Sequence, residues 1–442
     1  MATECYSQLG FRFQQKLVVD FAGGAITSDA GLVLVREFDE QFQLTADVAR
    51  RVSDARDGRY VTHDVATLVR QRLYQIAAGY EDANDADRLR LDPAFQLVAG
   101  DGRTALGSQP TLSRFDNDLD WATIRRLSTA GVDWFCQFAF GPREQPRELV
   151  LDLDSTDDPT HGTQQLAFFH GGFNQHMYHP LCWFEAGTGL LLRTWLRPGL
   201  DRCATFVVED LGYLLPKLRA RFPQSRVLLR ADAGMATPAV EAALEREHID
   251  YVLGIGVNAV FRKRVARPVA RAEARYARTR RPVHMRTSFR HRARSWPHQR
   301  RILVKIDVTA MGLNLRFMVT NRQGRAADLI AWYDARGTAE NRIKELKLEV
   351  HADRLSCHRF RANAARLQFH TLALLVLAYF RRFVLAGTRL ADASIGTLRV
   401  QLLKVGARVV RSVRRLWFHL ASHWPGQTLF TRCHRALARA PA

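Results

Sequence analysis

The 442-residue chain is poor in cysteine, with six residues at 5, 136, 182, 203, 357 and 433 and no C-x-x-C pair among them. That scarcity argues against a zinc ribbon or a disulfide framework and for a reducing compartment. The opening MATECYSQLGFRF lacks a basic segment followed by an apolar one, so no secretory signal is read there. The longest apolar run, Leu372 to Phe380, is too short to span a bilayer, meets Arg381 and Arg382, and predicts a buried helix. Internal repeats and low-complexity tracts are absent. Acid is in short supply: 44 Asp and Glu face 65 Lys and Arg, a net +21, and the isoelectric point is near 10.5. That balance favours a polyanionic partner, nucleic acid first and an anionic membrane surface second. What is present is a 47% apolar composition, which fits a globular chain of two or three domains. The close histidines His161, His170, His176 and His179 match no zinc spacing.

Residues 1–145 read as mainly helical after a short β region at Lys16 to Thr27. VTHDVATLVRQRLYQIAAGY, Val61 to Tyr80, sets Val65, Leu68, Val69, Leu73 and Ile76 at helical intervals, with Gly79 as its stop and Arg70 and Arg72 on a solvated face. A further helix is expected from Trp121 to about Phe138, and the polar GPREQPRE that follows marks a domain boundary. ELVLDLDST, 148–156, then reads as a strand with Asp152 and Asp154 on one face. LAFFHGGF, YHPLCWFEA and GLLLRTWLR read as neighbouring antiparallel strands. RVLLRADAGM is a second buried strand ending in Asp232, and the helix 237–246 and strand 251–257 continue an α/β alternation.

The stretch 261–301 changes character, with fifteen Arg or Lys against the single acid Glu273, a net +14. Phe261, Tyr276, Phe289 and Trp296 are interleaved with those cations, as where guanidiniums hold phosphates and rings stack on bases. It reads as a basic, β-rich insertion over 259–325. After it comes YDARGTAENRIKELK, in which Tyr333, Arg336, Glu340 and Lys347 fall within about 60° of one another on a helical wheel. A carboxylate beside a phenol and two cations suits a metal-binding acid next to a phosphodiester.

Three acids in this order, on a first strand, at a later strand tip and on a helix after an insertion, resemble the ribonuclease-H-like fold. Tyr333, Arg336, Glu340 and Lys347 match the Y-x2-R-x3-E-x6-K signature of bacterial insertion-sequence DDE transposases. ITSDAGLVLVREFDE, YQIAAGYEDANDADRLRLDPAF, SQPTLSRFDN, LDLDSTDDPTHG and LLRADAGM, with the carboxyl-terminal QLLKVGARVVRS, resemble the group 1 DDE transposases. One departure is Ala233 after Asp232, where that family commonly has Ser.

The resemblance implies an α/β protein: a ribonuclease-H-like catalytic core interrupted by the β-rich insertion, behind a mainly helical N-terminal domain. The organisation then expected is a DNA-binding region at 1–145, core at 146–258, insertion at 259–325, core with the Glu helix at 326–385 and a basic region at 386–442. Asp154, Asp232 and Glu340 would bind two Mg²⁺, with Mn²⁺ able to substitute, and Asp152 is the alternative first ligand. Asp157 and Asp158 are outside candidates, with an Asp-Pro turn as their ordinary role. Tyr333, Arg336 and Lys347 would grip the phosphate, and Trp296 would either stack on a flipped base or pack on a sheet. The implied activity is cleavage at element ends and strand transfer into target DNA. The implied partners are double-stranded inverted-repeat ends, target DNA and a second subunit in a homodimer, with no membrane or small-molecule substrate. The implied location is the bacterial cytoplasm, at the nucleoid. A nuclease that cuts without joining and a domesticated, non-catalytic DNA-binding protein are the alternatives.

Overall fold

A computed structural model describes residues 8–439 and divides the chain into two compact units. One comprises the chain up to Thr123, Leu348–Ala352 and the chain from Phe369; the other comprises Ile124–Lys347 and Asp353–Gln368. Cys5 lies outside the described residues, and the other five cysteines are free thiols.

The first unit is mainly helical. Its helix Val65–Ala78 begins where the Asp64 carboxylate accepts the Thr67 N–H at 2.7 Å and ends at Gly79, whose φ of 91° favours glycine. Arg72 departs from its expected solvated position: it is fully buried, donates to the Glu81 carbonyl at 2.9 Å and lies 3.4 Å from Asp116. Leu372 to Phe380 lie in the helix Phe360–Val384, which is long and apolar enough to cross a membrane. However, 78% of its most apolar window is buried inside the protein, as in a core helix.

In the second unit, eight strands form one mixed sheet. They are β1 (Glu148–Ser155), β2 (Leu181–Glu185), β3 (Leu191–Trp195), β4 (Arg226–Ala231), β5 (Asp250–Ile255), β6 (Val283–His291), β7 (Arg300–Thr309) and β8 (Gly312–Thr320). Their spatial order is β6-β7-β8-β5-β4-β1-β2-β3. β1, β4 and β5 run parallel and the remaining pairings are antiparallel. The parallel strands are apolar because both faces are covered: Leu149, Leu151, Leu153, Leu228, Leu229, Val252 and Leu253 are all fully buried.

Three local expectations change. LAFFHGGF leaves the large sheet, and Phe168–His170 pairs with Gln175–Tyr178 in a small separate one. The stretch 259–325 opens with helices, Ala259–Arg264 and Ala266–Thr279, before β6 to β8 join the edge of the large sheet through β5. Its Arg-rich start has the helix propensity of Arg and Ala rather than the β-branched content of a strand. The single helix expected from Trp121 divides into Trp121–Ser128 and Ala130–Phe138.

Candidate active site

The register of the parallel strands places the acids. Arg230 of β4 lies opposite Asp152 of β1 and Ala231 opposite Leu153, so Asp232, just past the end of β4, comes beside Asp154. The carboxyl ends of parallel strands are where an open α/β sheet leaves room for a ligand. The two acids of β1 nevertheless differ. Asp152 is fully buried and receives two bonds from Arg230, Nε to Oδ1 at 2.7 Å and Nη2 to Oδ2 at 2.8 Å. Arg230 spends a third N–H on the Trp332 carbonyl at 2.7 Å, completing a two-point pair anchored to the backbone. Asp154 is 8% exposed and receives one side-chain bond, from Arg336 Nη1 at 2.7 Å.

Helices α1 (Ala326–Asp334) and α2 (Gly337–Lys344) bring the remaining groups. Leu329 and Ile330 fix α1 by packing on Val252, Leu303 and Met318, each buried side chain contributing about 1.5–3 kcal/mol. This sends the Tyr333 hydroxyl to the Ala231 carbonyl, 3.3 Å away at the tip of β4. Gly254 permits that approach, since a Cβ there would stand 2.9 Å from the Tyr333 oxygen and 2.8 Å from the Ala233 nitrogen. α2 is tied down by Arg342, which donates to the Glu185 and Ala186 carbonyls at 3.2 and 2.9 Å. Between the helices, Arg336 bonds Asp154 and has Nη2 3.9 Å from Glu340, whose side chain is 60% exposed. Lys347 lies in the π-helical turn Glu345–Glu349. Its ammonium donates to the Asp157 carboxylate at 2.9 Å and the Asp157 carbonyl at 2.8 Å, holding the turn just beyond Asp154.

The electrostatics mark a deficit of positive charge. Burial pushes the Asp154 carboxyl up to about 6; Arg336 opposes the shift and the neighbouring Asp232 adds to it. Burial also raises the Arg336 desolvation cost, but attraction to Asp154, Tyr333 and Asp232 outweighs it and holds the guanidinium charged. For Asp157 burial acts upward, yet its bonds from Lys347 and Gln175 leave the carboxyl below its usual range. One guanidinium is thus shared by Asp154, Asp232 and Glu340. Among the described residues no group of three His, Cys, Asp or Glu side chains is arranged to hold a metal ion. The donor set nevertheless suits a hard divalent cation, being all carboxylate oxygen, with two of the acids repelling each other and Arg336 supplying the only direct cationic contact to Asp154 among those residues.

A family model described as transposase DDE domain, group 1, matches residues 9–442. The chain belongs to the group 1 DDE transposases. No curated protein matches it. A solved structure described as a piggyBac transposase synaptic complex with hairpin DNA is similar at a TM-score of 0.46 and 11% identity, over 90% of this chain and 82% of that one.

In this DDE transposase, Asp154, Asp232, Tyr333, Arg336 and Glu340 gather at one end of the parallel strands, and Lys347 joins them through Asp157. Trp296 stands apart: it is 6% exposed, packs its ring 5.0 Å from the Arg300 guanidinium and meets His291 edge to face. His170 and His179 also meet edge to face, and burial lowers His179 to about 4. Arg230 and Arg342 escaped the reading of the sequence. The signal for Arg230 was its parity, since Arg230 precedes Asp232 at the end of β4 by two residues, as Asp152 precedes Asp154 on β1. Nothing in the sequence around Arg342 marked it as an anchor.

Proposed function

We propose that this chain is an insertion-sequence transposase of the Y-R-E-K branch, which cuts DNA at its element ends and joins them to a target. The observation that carries the reading is the sharing of Arg336 by Asp154, Asp232 and Glu340 in a chain of this family. The order β3-β2-β1-β4-β5, with β1, β4 and β5 parallel, supports a ribonuclease-H-like core. In that reading 146–258 and 326–385 form the core, 259–325 is the basic insertion, 1–145 serves DNA binding and 386–442 is a basic C-terminal region.

Asp154, Asp232 and Glu340 would hold two Mg²⁺, or Mn²⁺ in their place. Bound there, the cations supply Lewis acidity to the attacking and leaving oxygens of a phosphodiester. Asp154 is preferred to Asp152 because both Asp152 oxygens are already paired with Arg230. Arg336 and Tyr333 offer N–H and O–H donors to a phosphate at the strand tips, and Lys347 keeps the turn after Asp154 in place. The half-buried setting restricts water around the reacting group, which strengthens each of these contacts. Trp296 is assigned to packing against Arg300 rather than to a flipped base. The element ends and target would be double-stranded DNA, engaged by a homodimer in the bacterial nucleoid.

The test is incubation of the full chain with a linear duplex carrying the element end and Mg²⁺, comparing wild type with Asp232→Ala. Cleavage and joining are expected from wild type and neither from the variant. Equal activity of the two would sink the assignment. Pre-nicked ends that are never joined would move the protein to the nuclease alternative.

A further inference from the structure

The last acid in the chain is Asp392; residues 393–442 carry nine Arg or Lys and no Asp or Glu. Within that stretch, in the mainly helical unit, Ala407–Arg411 and Leu416–Leu420 form an antiparallel hairpin. Its two faces differ. Phe418 and Leu420 lie against the core of Ala30, Val405 and Ala407. On the opposite face, the cross-strand pairs Arg408 with His419 and Val410 with Trp417 are exposed. The hairpin is anchored at its base by pairing with Ile26–Thr27 and along its length by Arg411, which donates to the Gly102 carbonyl. Its tip is pre-formed: Ser412 N–H donates to the Arg415 carbonyl at 2.8 Å, and the Ser412 hydroxyl accepts the Arg415 N–H at 3.0 Å.

This tip is unusual for a soluble surface. Val413 is completely exposed and Trp417 is 46% exposed. Arg415 sits 5.6 Å over the Trp417 ring, and Trp417 stacks on His419 with an interplanar angle of 1°. Arg408, Arg414 and Arg415 have no ion-pair partner among the described residues. A rigid two-stranded ribbon with free guanidiniums, an apolar tip and a cation-capped ring has the size and chemistry to enter a DNA groove, which admits such a ribbon. The guanidiniums would meet phosphates on either side, and apolar contact would come from Val413 and Trp417. A second copy of the chain fits worse, because it carries the same +21 charge and the same acid-free stretch.

We infer that the hairpin Ala407–Leu420 is a duplex-DNA contact surface, with Arg408, Arg414 and Arg415 on phosphates and Val413 and Trp417 at the groove. The inference rests on the reading of the protein as a DNA transposase and adds a contact outside its acid cluster.

The experiment measures equilibrium binding of the full chain to a random-sequence linear duplex over a range of salt concentrations. It compares wild type, the tip variant Arg414→Gln/Arg415→Gln, and the triple variant that adds Arg408→Gln. Each lost phosphate contact makes the slope of log K against log salt less steep by about 0.9, so the tip variant should lose about two and the triple variant about three. Thermal melting of each variant checks that the hairpin change leaves the fold intact, and the tip variant lies outside the paired strands for that reason. Wild type that binds DNA with slopes unchanged in both variants overturns the hairpin assignment and leaves the transposase reading standing. Wild type that does not bind duplex at all overturns both. Sedimentation of the DNA-free proteins supplies the remaining arm: variants that lose self-association while keeping the wild-type slope would reassign the hairpin to a subunit interface and overturn the proposal.

Discussion

In the middle of β1, Asp152 is sealed in a two-point ion pair with Arg230, whereas at the end of the same strand Asp154 shares one arginine with two other acids. The two carboxylates are two residues apart, face the same side of the sheet and are both buried, so burial alone does not separate them. The difference is in the partners. Around Asp152 each carboxylate oxygen accepts a bond from Arg230, whose remaining bonded N–H goes to the Trp332 carbonyl. Around Asp154 the negative charge exceeds the positive, because Asp232 stands beside it and Glu340 draws on the same guanidinium. A two-point pair holds the sheet together; a cluster of acids around one guanidinium is left with excess negative charge.

The comparison can be broken most directly at Asp152. Asp152→Ala leaves the Arg230 guanidinium buried without its partner and should destabilise the protein by about 3–5 kcal/mol in urea unfolding. A loss below about 1 kcal/mol would mean the pair is not the structural element described. Burial raises both carboxyls, that of Asp152 against its bonds from Arg230 and that of Asp154 to about 6. The folded Asp154 carboxyl binds a proton up to about 6, above the usual 3.8, so the folded state holds more protons between those values and stability falls as pH rises through them. Asp154→Asn removes that penalty. Without divalent cation it should be more stable than wild type by up to about 3 kcal/mol above pH 6, the gain vanishing near pH 4. Melting curves in chelator at several pH values check this, and a variant less stable than wild type at pH 7 would contradict it. The smallest contrast comes from the same conservative change at both arginines. Arg230→Lys gives up bonds to a buried carboxylate and should cost about 1.5–3 kcal/mol. Arg336→Lys keeps a single-point contact to Asp154 and should cost less than half as much, measured by thermal unfolding. Equal costs would erase the distinction between the two sites.

Much of this arrangement was legible before any fold was known, and the reasons are local. β1 and β4 were readable because short apolar runs bounded by polar segments encode buried strands. Asp154, Asp232 and Glu340 were readable through motif spacing and resemblance. The choice between Asp152 and Asp154 was not, because strand parity puts both on one face. Only the register against β4 gives Arg230 to one and Asp232 to the other. The helical wheel over Tyr333 to Lys347 was partly misleading for a similar reason. The stretch is divided between α1, α2 and a π-helical turn, and Lys347 turns to Asp157 rather than to Glu340. Trp296 also looked the same in sequence under either of its readings, since an aromatic in a basic segment carries no mark of which side it will face. Its burial against Arg300 is a tertiary fact.

By itself the sequence determined the charge of the molecule, its α/β alternation, the family to which it belongs and the short list of acids and cations that chemistry could use. Those properties depend on composition and on spacing along one chain. Tertiary structure decided which arginine each acid meets, that one guanidinium serves three carboxylates, and that the acid-free C-terminal stretch presents a hairpin with an open cationic face. These depend on partners far apart in sequence, Arg230 with Asp152 and Arg336 with Asp154, and on the strand register that brings them within bonding distance.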